Sequence, residues 1–171
     1  MKVLAGAEVE VHKDGSLDYD DETLARLDVV VASLHTGLRQ PKEELTARLK
    51  RVLMNPNVDI IAHPSGRLIE RREGGDFDWD SVFAVAAVTG TALEINADPA
   101  RLDLEPTLAH RASNAGCLIT INCDAHNPSG YSHMEYGVVV ARRAWLNPEQ
   151  ILNCWNRDRI LEWLRSRGRV A

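Results

Sequence analysis

The stretch NVDIIAHPSGR, residues 57–67, decides how the chain is read. A short apolar stub, Val58 to Ala62, has the β-branched content of a buried strand, and it stops on a histidine followed at once by proline. Pro64 lacks an N–H and restricts the residue before it, so the strand cannot continue. An imidazole at the end of a buried strand is informative only if other strands end in the same way.

Four further segments have that character: residues 3–11, 28–34, 91–96 and 117–123. Helical patterns separate them. Pro41 marks a helix start, followed by Leu45, Leu49, Val52 and Leu53 on one face. A second pattern covers 80–89, with Gly90 as its stop, and a third runs through Leu104, Leu108, Ala112 and Ala115 to Gly116. Residues 148–155 and 157–167 read as two tail helices. Strand alternating with helix predicts βαβ units and an α/β fold with a parallel sheet or barrel, because parallel neighbours need a long crossover. Residues 12–22 read as a polar connection and 66–78 as a long mobile loop.

The 171 residues have room for one sizeable core, and a formal charge of -5 excludes a global basic field for polyanions. The opening MKVLAGAEVEV has no apolar signal region, and the longest apolar run, 82–88, is far too short to span a membrane. The chain therefore reads as a cytoplasmic protein without a membrane partner. Cys117, Cys123 and Cys154 are odd in number and lack CxxC spacing, so they read as buried reduced thiols.

Placing the strands reveals the chemistry. His35 ends DVVVASLH, His63 ends VDIIAH, Asn96 ends TALEIN, and Asp124 and His126 follow CLITINC. Glu8 and Glu10 share one face of the first strand. In a parallel barrel these strand ends open on one side, and the residues converge there. A His, Asp and Glu set without Cys suits Zn, Mn or Fe, and such ions acidify water for phosphoester hydrolysis. His12 and His110 read as solvated, and His133, seven residues past His126, could reach the site but is not counted among its ligands.

GAEVEV, VVASLH, IIAHPSGRL, ALEINADPARLDL, TINCDAH and YGVVVARRAWL, in this order, resemble the PHP (polymerase and histidinol phosphatase) domain. The similarity favours the C-terminal PHP domain of bacterial family X DNA polymerases. It implies a distorted seven-stranded βα barrel with up to three metal ions at its C-terminal face. It also implies phosphoester hydrolysis, with 3′-end processing or 3′–5′ exonuclease activity on DNA in the polymerase branch. By resemblance, Glu8 is a bridging carboxylate that shares one metal with His35 and His63, Asp124 binds a second metal, His126 binds a third, and Arg67 contacts the substrate phosphate.

The chain departs from that pattern at its start. The family opens on a His-x-His strand and a further His-bearing strand, and MKVLA supplies neither. Residues 1–171 are thus expected to form a single PHP-like domain lacking the two N-terminal βα units, with about five of the seven strands. Only the Glu8, His35 and His63 site would keep its protein ligands, so one divalent ion is expected to bind well. Activity is expected to be impaired in the isolated chain, and the alternative is a non-catalytic remnant that binds a metal or a partner. Exposed barrel edges would be met by the missing N-terminal segment, by a second copy, or by the tail helices.

Overall fold

A computed structural model describes residues 2–168. Five strands, β1 (Gly6–Glu10), β2 (Val29–Ser33), β3 (Ile60–Ala62), β4 (Ala92–Asn96) and β5 (Ile119–Asn122), pair in sequence order in one sheet. Every pairing is parallel. Helices α1 (Asp21–Ala25), α2 (Lys42–Leu53), α3 (Trp79–Thr89) and α4 (Pro106–Asn114) form the crossovers, and α5 (Met134–Arg143) and α6 (Arg157–Ser166) follow β5. The architecture is the α/β fold expected, consistent with a partial βα barrel. No helix among the described residues is long and apolar enough to cross a membrane.

Strand register divides the sheet into two chemically distinct faces. Val9, Val30, Ala32, Ile61, Leu93, Ile95, Ile119 and Ile121 belong to the buried core that the helices cover. The alternate residues include Glu8, Ser33, Glu94, Asn96, Thr120 and Asn122. Glu10 lies beside Ser33, Glu94 beside Thr120, and Asn96 beside Asn122, so the face away from that core is polar on both sides of β3, which contributes Ile60 and Ala62 there. Period-two alternation puts both sets on the same strands.

The helices begin and end on local chemistry. The Asp20, Asp78, Glu105 and Asn156 side chains accept from the first free N–H groups of α1, α3, α4 and α6. Gly90 closes α3 in the left-handed conformation. In α4 the buried positions are Ala109 and Ala112, whereas Ala115 is an exposed cap. The tail helix expected over 148–155 is instead two short 3-10 turns, Pro148–Gln150 and Leu152–Cys154. Ile151 between them is extended, because it pairs with Ile119 of β5.

Helix α5 was not anticipated, since its valines favour strands and Gly137 favours breaks. Packing overrides both: a Cβ on Gly137 would collide with Ile121 Cγ2 and lie 2.9 Å from Ala97 Cβ, so glycine lets α5 approach the sheet.

The tail also covers the β5 edge, though with the segment around Ile151 and Asn153 rather than with the tail helices expected. Besides the Ile119–Ile151 bridge, the Asn153 amide accepts from Ile121 N at 2.7 Å and donates to Ile121 O at 2.9 Å. At the C-terminal end of β1, Glu10 N donates to Asp18 Oδ2 at 3.2 Å.

Candidate metal centre

Glu8, His35 and His63 meet at the C-terminal ends of β1, β2 and β3. Their donor atoms lie within 4.8 Å of one another, and no other group of three or more His, Cys, Asp or Glu is so placed among the described residues. Glu8 Oε1 lies 3.7 Å from His35 Nε2 and 3.4 Å from His63 Nε2. Donors about 2.0–2.1 Å from a tetrahedral ion stand about 3.4 Å apart, so the spacing fits a small divalent cation with little adjustment.

His63 makes the strongest case for a ligand role. It is 2% exposed, and both ring nitrogens are buried without a hydrogen-bond partner. Buried polar groups in folded proteins are nearly always satisfied, and Nε2 has only the Glu8 carboxylate at 3.4 Å, outside hydrogen-bond geometry, so its place beside that carboxylate marks a site for a further group.

The local backbone builds this position. His63 has φ 30 and its N–H donates to Glu94 Oε2 at 2.7 Å. Gly66 N returns to His63 O at 2.8 Å, and the buried Asp103 carboxylate accepts from Ser65 N at 3.2 Å and Gly66 N at 2.9 Å. Gly66 needs its φ of 68 there, and a Cβ would sit 2.6 Å from Leu38 Cδ1. The His-Pro-Ser-Gly run is therefore an ordered turn held by Asp103, and Leu68 and Arg72 form a bridge just beyond it.

His35 is oriented by Glu10. Its Nδ1 stands 2.6 Å from Glu10 Oε2, and Thr36 Oγ1 donates to Glu10 Oε1 at 3.1 Å. Burial opposes ionisation of Glu10, but the hydrogen bonds from His35 and Thr36 outweigh it and hold the carboxyl below its ordinary value. An ionised Glu10 only accepts, so a proton belongs on Nδ1, and whenever the ring is neutral the Nε2 lone pair is left facing Glu8. This is the carboxylate–histidine arrangement that orients metal-binding imidazoles.

Glu8 is held at about 2, first by its interaction with His63; burial works against this, while Ser33 and His35 assist. It is anionic across the neutral range. Its side chain and that of His35 remain 41% and 45% exposed, so the centre opens to solvent beside β1 and β2.

A cleft of about 150 Å³ continues from Glu8 and His63 past Glu94, Asn96 and Asn122 to Asp124. At about 30 Å³ per water it has room for roughly five waters, enough for a phosphoryl group. Asn122 Nδ2 donates to Glu94 Oε1 at 2.8 Å. Burial pushes the Glu94 carboxyl up, against the bonds from Asn122 and the His63 N–H.

The remaining candidates are distributed unevenly. Asp124, with φ 51, lines the same cleft and lies 3.5 Å from Asn96 Nδ2. His126 points outward with 85% of its side chain exposed, and its Nδ1 meets Asp124 O at 2.7 Å. Arg67 gives Nε to Arg101 O at 2.7 Å and Nη2 to Leu102 O at 2.5 Å. His12 pairs with Asp18 at 3.2 Å, His110 Nδ1 meets Ala144 O at 2.9 Å, and His133 packs by Tyr136. None of these three joins the cluster.

Sequence reasoning had not assigned roles to Glu10 as an orienting residue, Glu94, Asn122 or Asp103. Period two could have found Glu94 from Asn96, since both face the polar side of β4. Asp103 carried no such signal, because a loop brings it under the His63 turn.

No protein-family model matches the chain. It is 45% identical over 153 residues to the DNA polymerase/3′-5′ exonuclease PolX of Bacillus subtilis, which covers 90% of this chain but only 27% of that protein. It is 28% identical over 179 residues to a probable phosphatase of Thermoanaerobacter sp., covering 99% of this chain and 70% of that protein. A probable phosphatase of Syntrophotalea carbinolica is 28% identical over 167 residues, with 90% and 65% covered. The chain is therefore similar to proteins named as probable phosphatases and to about a quarter of one named as a DNA polymerase and 3′-5′ exonuclease.

Proposed function

We propose that the chain is a metal-dependent phosphoesterase module of PHP type, in which Glu8, His35 and His63 hold one divalent cation, Zn, Mn or Fe. The observation that carries this reading is the buried His63 ring, whose Nε2 has no hydrogen-bond partner among the described residues and stands 3.4 Å from the Glu8 carboxylate. A bound cation would acidify water and offset charge developing on a phosphoryl oxygen. The chain's own residues do the rest. Glu8 supplies the anionic donor, Glu10 keeps the His35 proton on Nδ1, and the Glu94, Asn96 and Asn122 wall bounds the space for the phosphoryl group.

The substrate class proposed is a phosphoester, with the 3′ end of DNA suggested by the polymerase-named relative. The small cleft supports an arrangement in which only the phosphoryl group enters and the remaining substrate lies over the exposed ends of β1 and β2. Asp124, and more distantly His126, are proposed as ligand positions for further ions held only weakly. Arg67 is proposed as a phosphate contact, which requires releasing its two carbonyl partners.

The single three-donor group among the described residues also favours a second reading, a domain that binds one cation without catalysis. Phosphate release from p-nitrophenyl phosphate and trimming of a DNA 3′ end, each with added Mn²⁺ or Zn²⁺, separate the two. Activity that falls more than about 100-fold with chelator and in His63→Ala supports the enzyme. Stoichiometric binding of one ion without turnover supports the remnant. Activity unchanged in His63→Ala, or two or more tightly held ions per chain, overturns the one-metal site.

A further inference from the structure

Helix α2 carries a charge on its core-facing side. Arg48 is 3% exposed, in a buried row with Leu45, Leu49 and Val52. A guanidinium buried among apolar side chains is unfavourable unless its donors are used. Nη1 donates to Thr36 O at 2.9 Å and Gln40 Oε1 at 3.0 Å, and Nη2 donates to Val11 O, so the two Nη groups carry the compensation while Nε is left without a partner among the described residues. Two of these acceptors directly follow residues of the metal centre: Thr36 follows His35, and Val11 follows Glu10. Gly37 makes room, since a Cβ there would lie 2.9 Å from Arg48 Nη1.

We propose that Arg48 is a positioning residue for His35. Its planar fork ties the Val11 and Thr36 carbonyls together and so holds the ends of β1 and β2. That register places Glu10 against His35 Nδ1 and turns Nε2 toward Glu8. Lysine, a point charge with rotatable donors, cannot reproduce a fork spanning both carbonyls. The inference rests on the metal-centre reading for its functional meaning, but the orientation of His35 can be measured without any metal.

The test uses the full chain with Arg48→Met, Arg48→Lys and the milder Gln40→Ala, which removes one Arg48 acceptor. Leu164→Ala, in the buried face of α6, serves as a control for lost stability. In metal-free protein at alkaline pH, imidazole nitrogen–proton correlation spectra should show His35 as the Nδ1–H tautomer in the wild type and Leu164→Ala. They should show a tautomer mixture in the Arg48 variants. Titration with Co²⁺, followed by visible absorption, should give about tenfold weaker binding for Arg48→Met. Arg48→Lys should stay nearer to Met than to wild type, Gln40→Ala should lose a few-fold, and Leu164→Ala should lose nothing.

An unchanged tautomer and Co²⁺ affinity in any folded Arg48 variant, or an equal loss in Leu164→Ala, overturns the proposal. If neither Arg48 variant folds, the Gln40→Ala comparison decides. If the wild type takes up no Co²⁺, the metal reading fails and the tautomer alone decides the role of Arg48.

Discussion

Replacing Arg167 with methionine should loosen the fold while leaving the metal centre intact. Arg167 follows α6 and reaches the N-terminal end of β3, where Nε meets the Asp59 carboxylate at 2.9 Å. Nη1 donates to Thr89 O at 2.7 Å, and Nη2 reaches Val58 O and, at 3.0 Å, Thr91 Oγ1. The two side chains are 7% and 0% exposed, so this ion pair is buried. Asp59 also accepts from Val30 N at 2.8 Å and keeps that bond in the variant. Removing one member of a buried pair typically costs 3–5 kcal/mol, and the Val30 bond favours the low end, about 3 kcal/mol. With a urea slope of about 2 kcal/mol/M, the midpoint should fall by about 1.5 M. Adding Asp59→Asn should recover about 1 kcal/mol, because the amide removes the buried charge. Only β3, Ile60–Ala62, separates Asp59 from His63. Co²⁺ affinity of the folded variant should nevertheless stay at the wild-type value, because the His63 turn is held by Glu94 and Asp103. A midpoint shift under about 0.3 M would refute the clamp. A parallel loss of Co²⁺ affinity would show that the two ends of β3 are coupled.

Three further outcomes follow from the geometry. The Glu8 carboxyl drops from 4.5 to about 2 in the fold, so its stabilisation is complete above about pH 4.5 and is lost as pH falls through about 2. For this partly exposed group the shift, discounted for solvent screening, is worth about 1 kcal/mol. Urea midpoints of metal-free wild type and Glu8→Gln at about pH 6 and about pH 3 should show the difference narrowing in acid. In native protein a thiol reagent should label Cys154 quickly and Cys117 and Cys123 only on unfolding. Burial pushes the Cys117 thiol up to about 12, and Cys154 is exposed, contrary to the buried thiol expected. Gly137→Ala should cost about 1–3 kcal/mol by urea denaturation, since α5 must move off Ile121 and Ala97.

The sequence by itself determined the alternation of strand and helix, the parallel sheet and the candidate donors Glu8, His35 and His63. Each rests on local information: β-branched runs, helical spacing, proline and glycine punctuation, histidines that follow the end of a strand, and period-two alternation that puts Glu8 on one face of the first strand. Tertiary structure decided what those signals could not reach. Helix α5 forms against its own propensities because Gly137 fits the sheet, and residues 148–155 give up a helix because Ile151 and Asn153 bond the β5 edge. Asp124 and His126 are two residues apart, yet one lines the cleft and the other faces solvent, because the backbone at Asp124 turns left-handed. Glu10, Asp103 and Arg48 hold the centre through contacts 25, 37 and 37 residues away in sequence. Their roles depend on which distant backbone groups folding leaves within hydrogen-bonding reach, and no local pattern encodes that.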